Sequence, residues 1–136
     1  MVVAGLAWFY ISTFVIIPTY AAQAYGLGES PYVARYGALG SSFNDVVLSM
    51  VTRPGLVLQI IGEPLRLRYL FILLAPFGFL SLAGPEILLL AAPLLLANLL
   101  SAFPFQYSGL LHYSAPLAAY VAVAAIVGAQ RVRSLG

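Results

Sequence analysis

Hydrophobic residues fill this chain in long uninterrupted runs, not in the short periodic patterns of soluble helices. Four of these runs carry no charged residue, and each is long enough to supply one helix. A helix needs about 20 apolar residues to cross a bilayer, with about 17 to 25 tolerated. The pattern therefore predicts an all-α membrane protein with about four transmembrane helices. The predicted spans cover approximately residues 2–23, 69–82, 85–100 and 115–130.

One long segment, residues 25–68, interrupts the apolar pattern and holds most of the charge. A helix is predicted over 42–52, because the Ser42 hydroxyl suits an N-cap and Asp45 complements the helix N-terminus. A second helix is predicted over 55–62, because Pro54 and Pro64 separate this apolar stretch from its neighbours. Both helices are too short to span a bilayer. We therefore expect two interfacial helices at the membrane surface.

Composition supports this class and excludes several functions. The chain is 62% hydrophobic and 7% charged, whereas soluble domains carry about a quarter charged residues. It has no cysteine, which excludes disulfides, thiolate metal ligands and a cysteine nucleophile. The net charge of +2 is too small to indicate nucleic acid as a partner. No phosphate loop or zinc signature is present, so no cofactor is predicted.

Basic and aromatic side chains at the membrane border are the candidate site residues. Arg53, Arg66 and Arg68 point to binding of a phosphate or an anionic lipid headgroup, since a guanidinium grips phosphate through two parallel hydrogen bonds. The alternative is that they are anchors whose charged ends reach the interface. His112 could act as a general acid or base or as a substrate ligand, with Tyr113 beside it. Alternatively, both residues are interfacial anchors.

The remaining polar side chains inside or next to the helices suggest structural roles. Glu29, Asp45 and Glu63 match no metal-site spacing, and we expect helix capping or ion pairs from them. No metal is therefore predicted. Asn98 lies inside the third predicted span, where an amide is expected to hydrogen-bond between helices.

Charge also bears on topology. Short loops rich in arginine normally stay in the cytoplasm, so Arg131 and Arg133 place the C-terminus there. With four spans, the N-terminus is cytoplasmic as well. The 25–68 segment and the His112 loop then share the outer face. Because that segment is itself rich in arginine, either the topology is inverted or the arginines are needed outside for function.

Seven short blocks follow one another along the chain. They are Trp8-Phe9 with Ile17-Pro18, Tyr36-Gly37-x-Leu39-Gly40, Arg53-Pro54-Gly55, Leu67-Arg68-Tyr69-Leu70, Pro76-x-Gly78-Phe79-Leu80, Asn98-Leu99-Leu100-Ser101 and His112-Tyr113-Ser114-Ala115-Pro116. In this order they resemble the C-terminal part of a prokaryotic predicted membrane protein family of unknown function. That family is grouped with the GT-C glycosyltransferases. The resemblance covers nearly the whole chain.

The resemblance implies a multi-pass protein of the prokaryotic plasma (inner) membrane. Enzymes of the GT-C type take a sugar from a polyprenyl-phosphate lipid at the outer face, where basic loop residues meet the phosphate. That arrangement would explain the arginines of the 25–68 segment. The catalytic acidic residue of such enzymes lies in their first outer loop, which no segment here matches. We therefore expect a fragment of a longer protein that is inactive alone, with no catalytic residue to assign.

Two other functions stay open. Four helices with few polar residues would suit a small structural subunit of a larger membrane complex. A transporter or channel element is a weaker alternative, because such pathways are marked by ionisable residues inside the membrane, and the spans here are nearly free of them. The expected partners are the lipid bilayer, a polyprenyl-phosphate lipid and other membrane subunits.

Overall fold

The computed structural model of the chain describes residues 2–26, 32–109 and 112–134. Within these residues every regular element is a helix and no strand occurs. The all-α class predicted from the apolar runs is therefore confirmed. The helices form two compact units, Met1–Thr52 and Arg53–Gly136. The single membrane domain predicted for the whole chain stays a prediction.

The first unit begins with a long helix that changes its winding in the middle. It consists of α1 (Val2–Ile11), one turn of π-helix (Ser12–Ile16) and α2 (Ile17–Tyr25). Pro18 lacks the N–H that would donate to the carbonyl four residues earlier, and the wider turn lies directly before it. The Thr19 hydroxyl donates a hydrogen bond of 2.6 Å to the Val15 carbonyl within the same region.

The second helix of this unit, α3 (Phe43–Thr52), begins with two reciprocal hydrogen bonds. The Asp45 N–H donates to the Ser42 hydroxyl and the Ser42 N–H donates to the Asp45 carboxylate, both at 3.2 Å. The predicted N-cap is therefore confirmed. Gly40 is required here, because a Cβ at that position would overlap the Asp45 side chain. The Phe43 ring packs edge-on against Phe14 at a centroid distance of 5.8 Å.

The second unit contains four α-helices, three of which begin with proline. They are α4 (Pro54–Ile61), α5 (Pro64–Leu74), α6 (Pro85–Leu100) and α7 (Ala115–Ser134). The first position of a helix suits proline, because its N–H would have no partner there and its φ is already helical. These prolines therefore fix where α4, α5 and α6 start.

The sequence predicts one continuous helix over 69–82, and the structure corrects this. The α-helix ends at Leu74, and the chain continues as short 3-10 turns up to Leu80–Ala83. Gly78 and Phe79 both have positive φ, at 58° and 60°. This left-handed conformation is rare for a residue with a Cβ, and two such residues in succession end any helix.

The count of four spans is likewise not confirmed. By length and composition, two helices of the described residues could cross a membrane: Val3–Ala24 with 22 residues and His112–Ser134 with 23. The apolar helix α6 has 16 residues, which makes it shorter than a typical span. The structure therefore supports an all-helical protein with two candidate membrane-spanning helices.

The helix α7 packs against the Leu80–Ala83 turn through backbone contacts. A Cβ at Gly128 would overlap the Leu80 carbonyl, and a Cβ at Gly84 would lie 2.5 Å from the Ala124 carbonyl oxygen. Small residues allow this close approach of two backbones, as in many membrane helix pairs. We call this contact the glycine interface.

At the rim of the glycine interface, an ion pair joins the start of α6 to the end of α7. Arg131 donates to both carboxylate oxygens of Glu86, at 2.8 and 3.0 Å, and to the Ala83 carbonyl at 2.9 Å. Both charged side chains are about half exposed. Ion pairs of this kind contribute little to stability, so the backbone contacts carry the interface.

Candidate functional site

Arg66 is the one buried charge among the described residues, at 5% exposure. Its guanidinium donates to the Leu99 carbonyl at 2.5 Å and the Ser101 carbonyl at 2.9 Å, and it forms an ion pair with Glu63. Its central carbon also lies 4.6 Å from the centroid of the Tyr107 ring. Every side of this cation therefore faces a protein partner.

These contacts place Arg66 at the carboxyl end of α6, where helix carbonyls lack partners within the helix. A cation is favoured there by the helix dipole and by the free carbonyls. Sequence reasoning grouped Arg66 with Arg68 as a phosphate ligand. Positions two apart on a helix point about 200° away from each other, so the two arginines cannot share one ligand easily. In the structure, Arg66 is buried and its guanidinium donates to carbonyls of the chain itself.

Arg68 lies on the exposed side of α5, at the edge of a cavity of about 280 Å³. Within the described residues its guanidinium has no hydrogen-bond or ion-pair partner. The cavity has one wall from α5 and a second wall from residues that follow α6. The lining residues are Leu65, Arg68, Tyr69 and Ile72 on α5, and Pro104, Tyr107 and Ser108 opposite.

Helical spacing explains why four α5 residues face this cavity. Leu65, Arg68, Tyr69 and Ile72 stand at positions i, i+3, i+4 and i+7, which lie on one face of an α-helix. The walls are mainly apolar, and Arg68 is the only charged side chain among the lining residues. The arrangement combines a hydrocarbon-compatible space with a single cation at its edge.

A buried polar cluster lies behind the cavity wall. Tyr69 and Asn98 are each 2% exposed. The Asn98 amide donates to the Tyr69 hydroxyl at 3.2 Å and to the Tyr113 carbonyl at 3.1 Å, and the Ser114 hydroxyl donates to Tyr69 at 3.2 Å. The prediction that Asn98 hydrogen-bonds between helices is therefore confirmed. This cluster ties α5 to α6 and to the start of α7.

The other predicted site residues lie outside the cavity. His112 is exposed and stacks on Tyr113, with ring centroids 4.4 Å apart. Tyr113 is half-buried and meets the Phe103 ring edge-on at 6.4 Å. Arg53 is exposed at the residue before α4. None of these three lines the cavity around Arg68, and their roles in binding stay predictions.

Sequence reasoning missed the polar residues that shape the second wall. Ser101 is fully buried. Its hydroxyl donates to the Gln106 amide oxygen at 2.5 Å and accepts a hydrogen bond from the Phe103 N–H at 3.0 Å. These bonds curl the chain after α6 and bring Tyr107 under Arg66. The only signal in the sequence is the polar cluster Gln106-Tyr107-Ser108 between two apolar runs.

The carboxylates take structural roles. Asp45 caps α3 and Glu63 pairs with Arg66, as expected. Glu29 lies outside the residues that the structure describes. In the described ranges, no group of three or more histidines and carboxylates comes together to hold a metal ion.

Comparison with protein-family models identifies the chain. Residues 1–135 match DUF2079, described as a predicted membrane protein. No curated protein and no solved structure matches the chain. The match supports a membrane-protein family of unknown function, as the collinear blocks suggested. Since it covers almost the whole length, this chain belongs to the DUF2079 family of predicted membrane proteins.

Proposed function

We propose that this membrane protein binds the phosphate of a polyprenyl-phosphate lipid, with Arg68 as the phosphate contact. In this proposal the chain supplies the carrier-binding part of a GT-C-like glycosyltransferase in a prokaryotic plasma membrane. Transfer of the sugar itself requires catalytic groups that lie elsewhere in the enzyme. Both termini are in the cytoplasm, so that α5 and the cavity lie near the outer surface.

The observation that carries the proposal is the pairing of Arg68 with an apolar cavity. Arg68 is exposed, has no ion-pair partner in the described part of the chain, and stands beside Leu65 and Ile72. A lipid phosphate has the matching composition, with one anionic group attached to a hydrocarbon chain. Arginine suits this group, because its fork of N–H donors binds phosphate oxygens in pairs.

The competing interpretation is that Arg68 is a general anchor. Long basic side chains near helix ends reach the interface and attract anionic lipids of any kind. An anchor of this type would not distinguish polyprenyl phosphate from other anionic lipids. Selectivity between lipids therefore separates the two interpretations.

The test compares Arg68→Gln with Arg133→Gln, another exposed arginine with no partner among the described residues. Each protein is placed in phosphatidylcholine nanodiscs and titrated with polyprenyl phosphate or with phosphatidylglycerol. We expect Arg68→Gln to weaken polyprenyl-phosphate binding by about ten- to a hundredfold, since one charge-assisted contact is worth about 1.5 to 3 kcal/mol. Arg133→Gln should have no effect. Equal losses for both lipids, or none, would overturn the proposal.

A subunit role is the second candidate, and the surface of the first helix favours it. None of the described side chains between residues 3 and 24 is buried, and Trp8 and Tyr10 are both more than half exposed. Such a surface suits either lipid or a partner helix. Co-purification of a defined membrane protein at constant stoichiometry in mild detergent would support the subunit role. If Trp8→Ala abolishes this co-purification, the surface around Trp8 is the one that binds the partner.

A further inference from the structure

We infer that Arg66 is a positioning residue, which sets the distance between the two walls of the Arg68 cavity. The inference rests on the proposed lipid-phosphate site. In it, Arg66 never touches the ligand. It fixes the shape of the space in which Arg68 meets the phosphate.

The first argument is the cost of the buried charge. A guanidinium at 5% exposure is strongly destabilising unless its donors are all satisfied. Arg66 achieves this with the Leu99 and Ser101 carbonyls, which are 33 and 35 residues further along the chain. Because a guanidinium is planar and its donors have fixed directions, these bonds are possible only at one placement of that segment relative to α5.

The second argument is where those partners lie. The segment that Arg66 holds continues directly into the second wall, through Ser101, Gln106 and Tyr107. Tyr107 is shared: its ring lies 4.6 Å from the centre of the Arg66 guanidinium and also lines the cavity. Moving Arg66 therefore moves a wall residue directly.

The third argument is the division of one short sequence, Arg66-Leu67-Arg68, between two environments. Arg66 points to the α6 end and Arg68 to the cavity rim, while the Tyr69 hydroxyl anchors α5 to Asn98. Two fixed points on neighbouring turns define the orientation of α5 against the second wall. Arg68 then lies at a fixed distance from Tyr107 and Ser108 in the second wall.

The experiment measures wall spacing and lipid affinity in the same set of variants. The chain has no cysteine, so Ile72→Cys and Ser108→Cys give two unique spin-label sites on opposite walls. Dipolar broadening in the electron paramagnetic resonance spectrum reports their separation in nanodiscs. Affinity for polyprenyl phosphate is measured on the unlabelled full chain.

We compare Arg66→Lys, Arg68→Gln and Tyr107→Leu, with Arg133→Gln as the control outside the cavity. Lysine keeps the charge but cannot reach both carbonyls with a planar fork. We expect Arg66→Lys to change the label separation and to weaken lipid binding by about tenfold. Tyr107→Leu should do the same to a smaller extent, and Arg133→Gln should do neither. Arg68→Gln should weaken binding with no change in label separation.

The two proposals fail in different measurements. An unchanged affinity in Arg68→Gln would overturn the proposed function. An unchanged label separation in both Arg66→Lys and Tyr107→Leu would overturn the positioning role. A changed separation with unchanged lipid affinity would overturn it too, because Arg66 would then support the fold alone. If Arg66→Lys does not fold, Tyr107→Leu gives the same decision.

Discussion

Two contacts within the second unit are built on opposite principles. The glycine interface brings α7 onto the Leu80–Ala83 turn through backbone atoms, with Gly84 and Gly128 leaving no space for a side chain. The contact between α5 and the end of α6 instead depends on directed polar groups, with Arg66 and Asn98 at its centre. The first is specified by shape and the second by hydrogen bonds.

This difference explains where the cavity lies within the second unit. Close backbone packing at the glycine interface leaves no space for a side chain at Gly84 or Gly128. A contact made through polar side chains keeps the two elements about one side-chain length apart. This separation leaves space beside the contact. The cavity at Arg68 is found next to the polar contact, and its walls are the same elements that Arg66 joins.

Removing the central charge of the polar contact should have the largest effect. Arg66→Met leaves the Leu99 and Ser101 carbonyls without their donor, and each buried acceptor left without a partner costs about 1 to 3 kcal/mol. Unfolding in detergent, followed by circular dichroism, measures the change. Arg68→Gln is the control and should leave stability unchanged. Equal stabilities of the two variants would mean that Arg66 does not hold the contact.

Adding a single methyl group tests the glycine interface. We expect Gly128→Ala to destabilise the protein by about 1 to 3 kcal/mol, because its Cβ overlaps the Leu80 carbonyl and the backbones must separate. Gly55→Ala is the matched control, since a Cβ there meets nothing within 4 Å. Thermal unfolding of both variants in one detergent gives the comparison. A neutral Gly128→Ala would show that the interface is looser than the backbone distances indicate.

The amide in the polar contact should contribute less than the charge. Asn98→Leu keeps the approximate size but removes the donors to Tyr69 and to the Tyr113 carbonyl, and hydrogen bonds between membrane helices are worth about 0.6 to 1.7 kcal/mol. Ser114→Ala removes one bond to the same hydroxyl and should cost less. Chemical denaturation measures both. A larger loss for Ser114→Ala would contradict the central place of Asn98.

The smallest expected effect lies at an exposed polar contact in the other unit. The Ser42 side chain, and after it the Ser42 backbone N–H, lowers the pKa of Asp45 below its ordinary value of 3.8. The stability that this contact contributes is therefore present above pH 3.8 and is lost as the pH falls through the lowered pKa. The Ser42 amide chemical shift should follow this titration.

Asp45→Asn is the control for that titration, because its side chain does not ionise. Its Ser42 amide shift should stay constant over the same acidic range. A titration of the amide that persists in Asp45→Asn would show that another group controls the start of α3.

Local features of the fold were accessible from the sequence, because they depend on neighbouring residues. Ser42 and Asp45 are three positions apart, and both hydrogen bonds of the cap form within one turn. The apolar runs predicted the all-α class for the same reason. The break at Gly78 and Phe79 was not predicted as such, because breakers inside membrane helices are often tolerated and only the surrounding packing decides.

The candidate site was only partly accessible. Arg68 was identified as a basic group at the membrane border, and it is the predicted site residue that lines a cavity. The same reasoning assigned Arg66 the same role, since both look alike in a linear sequence. Their difference depends on carbonyls more than 30 residues away, which no local pattern contains.

By itself, the sequence determined the membrane class, the start of α6 at Pro85 and the cap of α3, because helix formation and transfer into hydrocarbon depend on short stretches of chain. Only the tertiary structure decided which arginine is buried. It also decided that Tyr69, Asn98 and Tyr107 surround the same contact. These outcomes depend on which distant groups can satisfy a buried charge, and this is a property of the packed molecule.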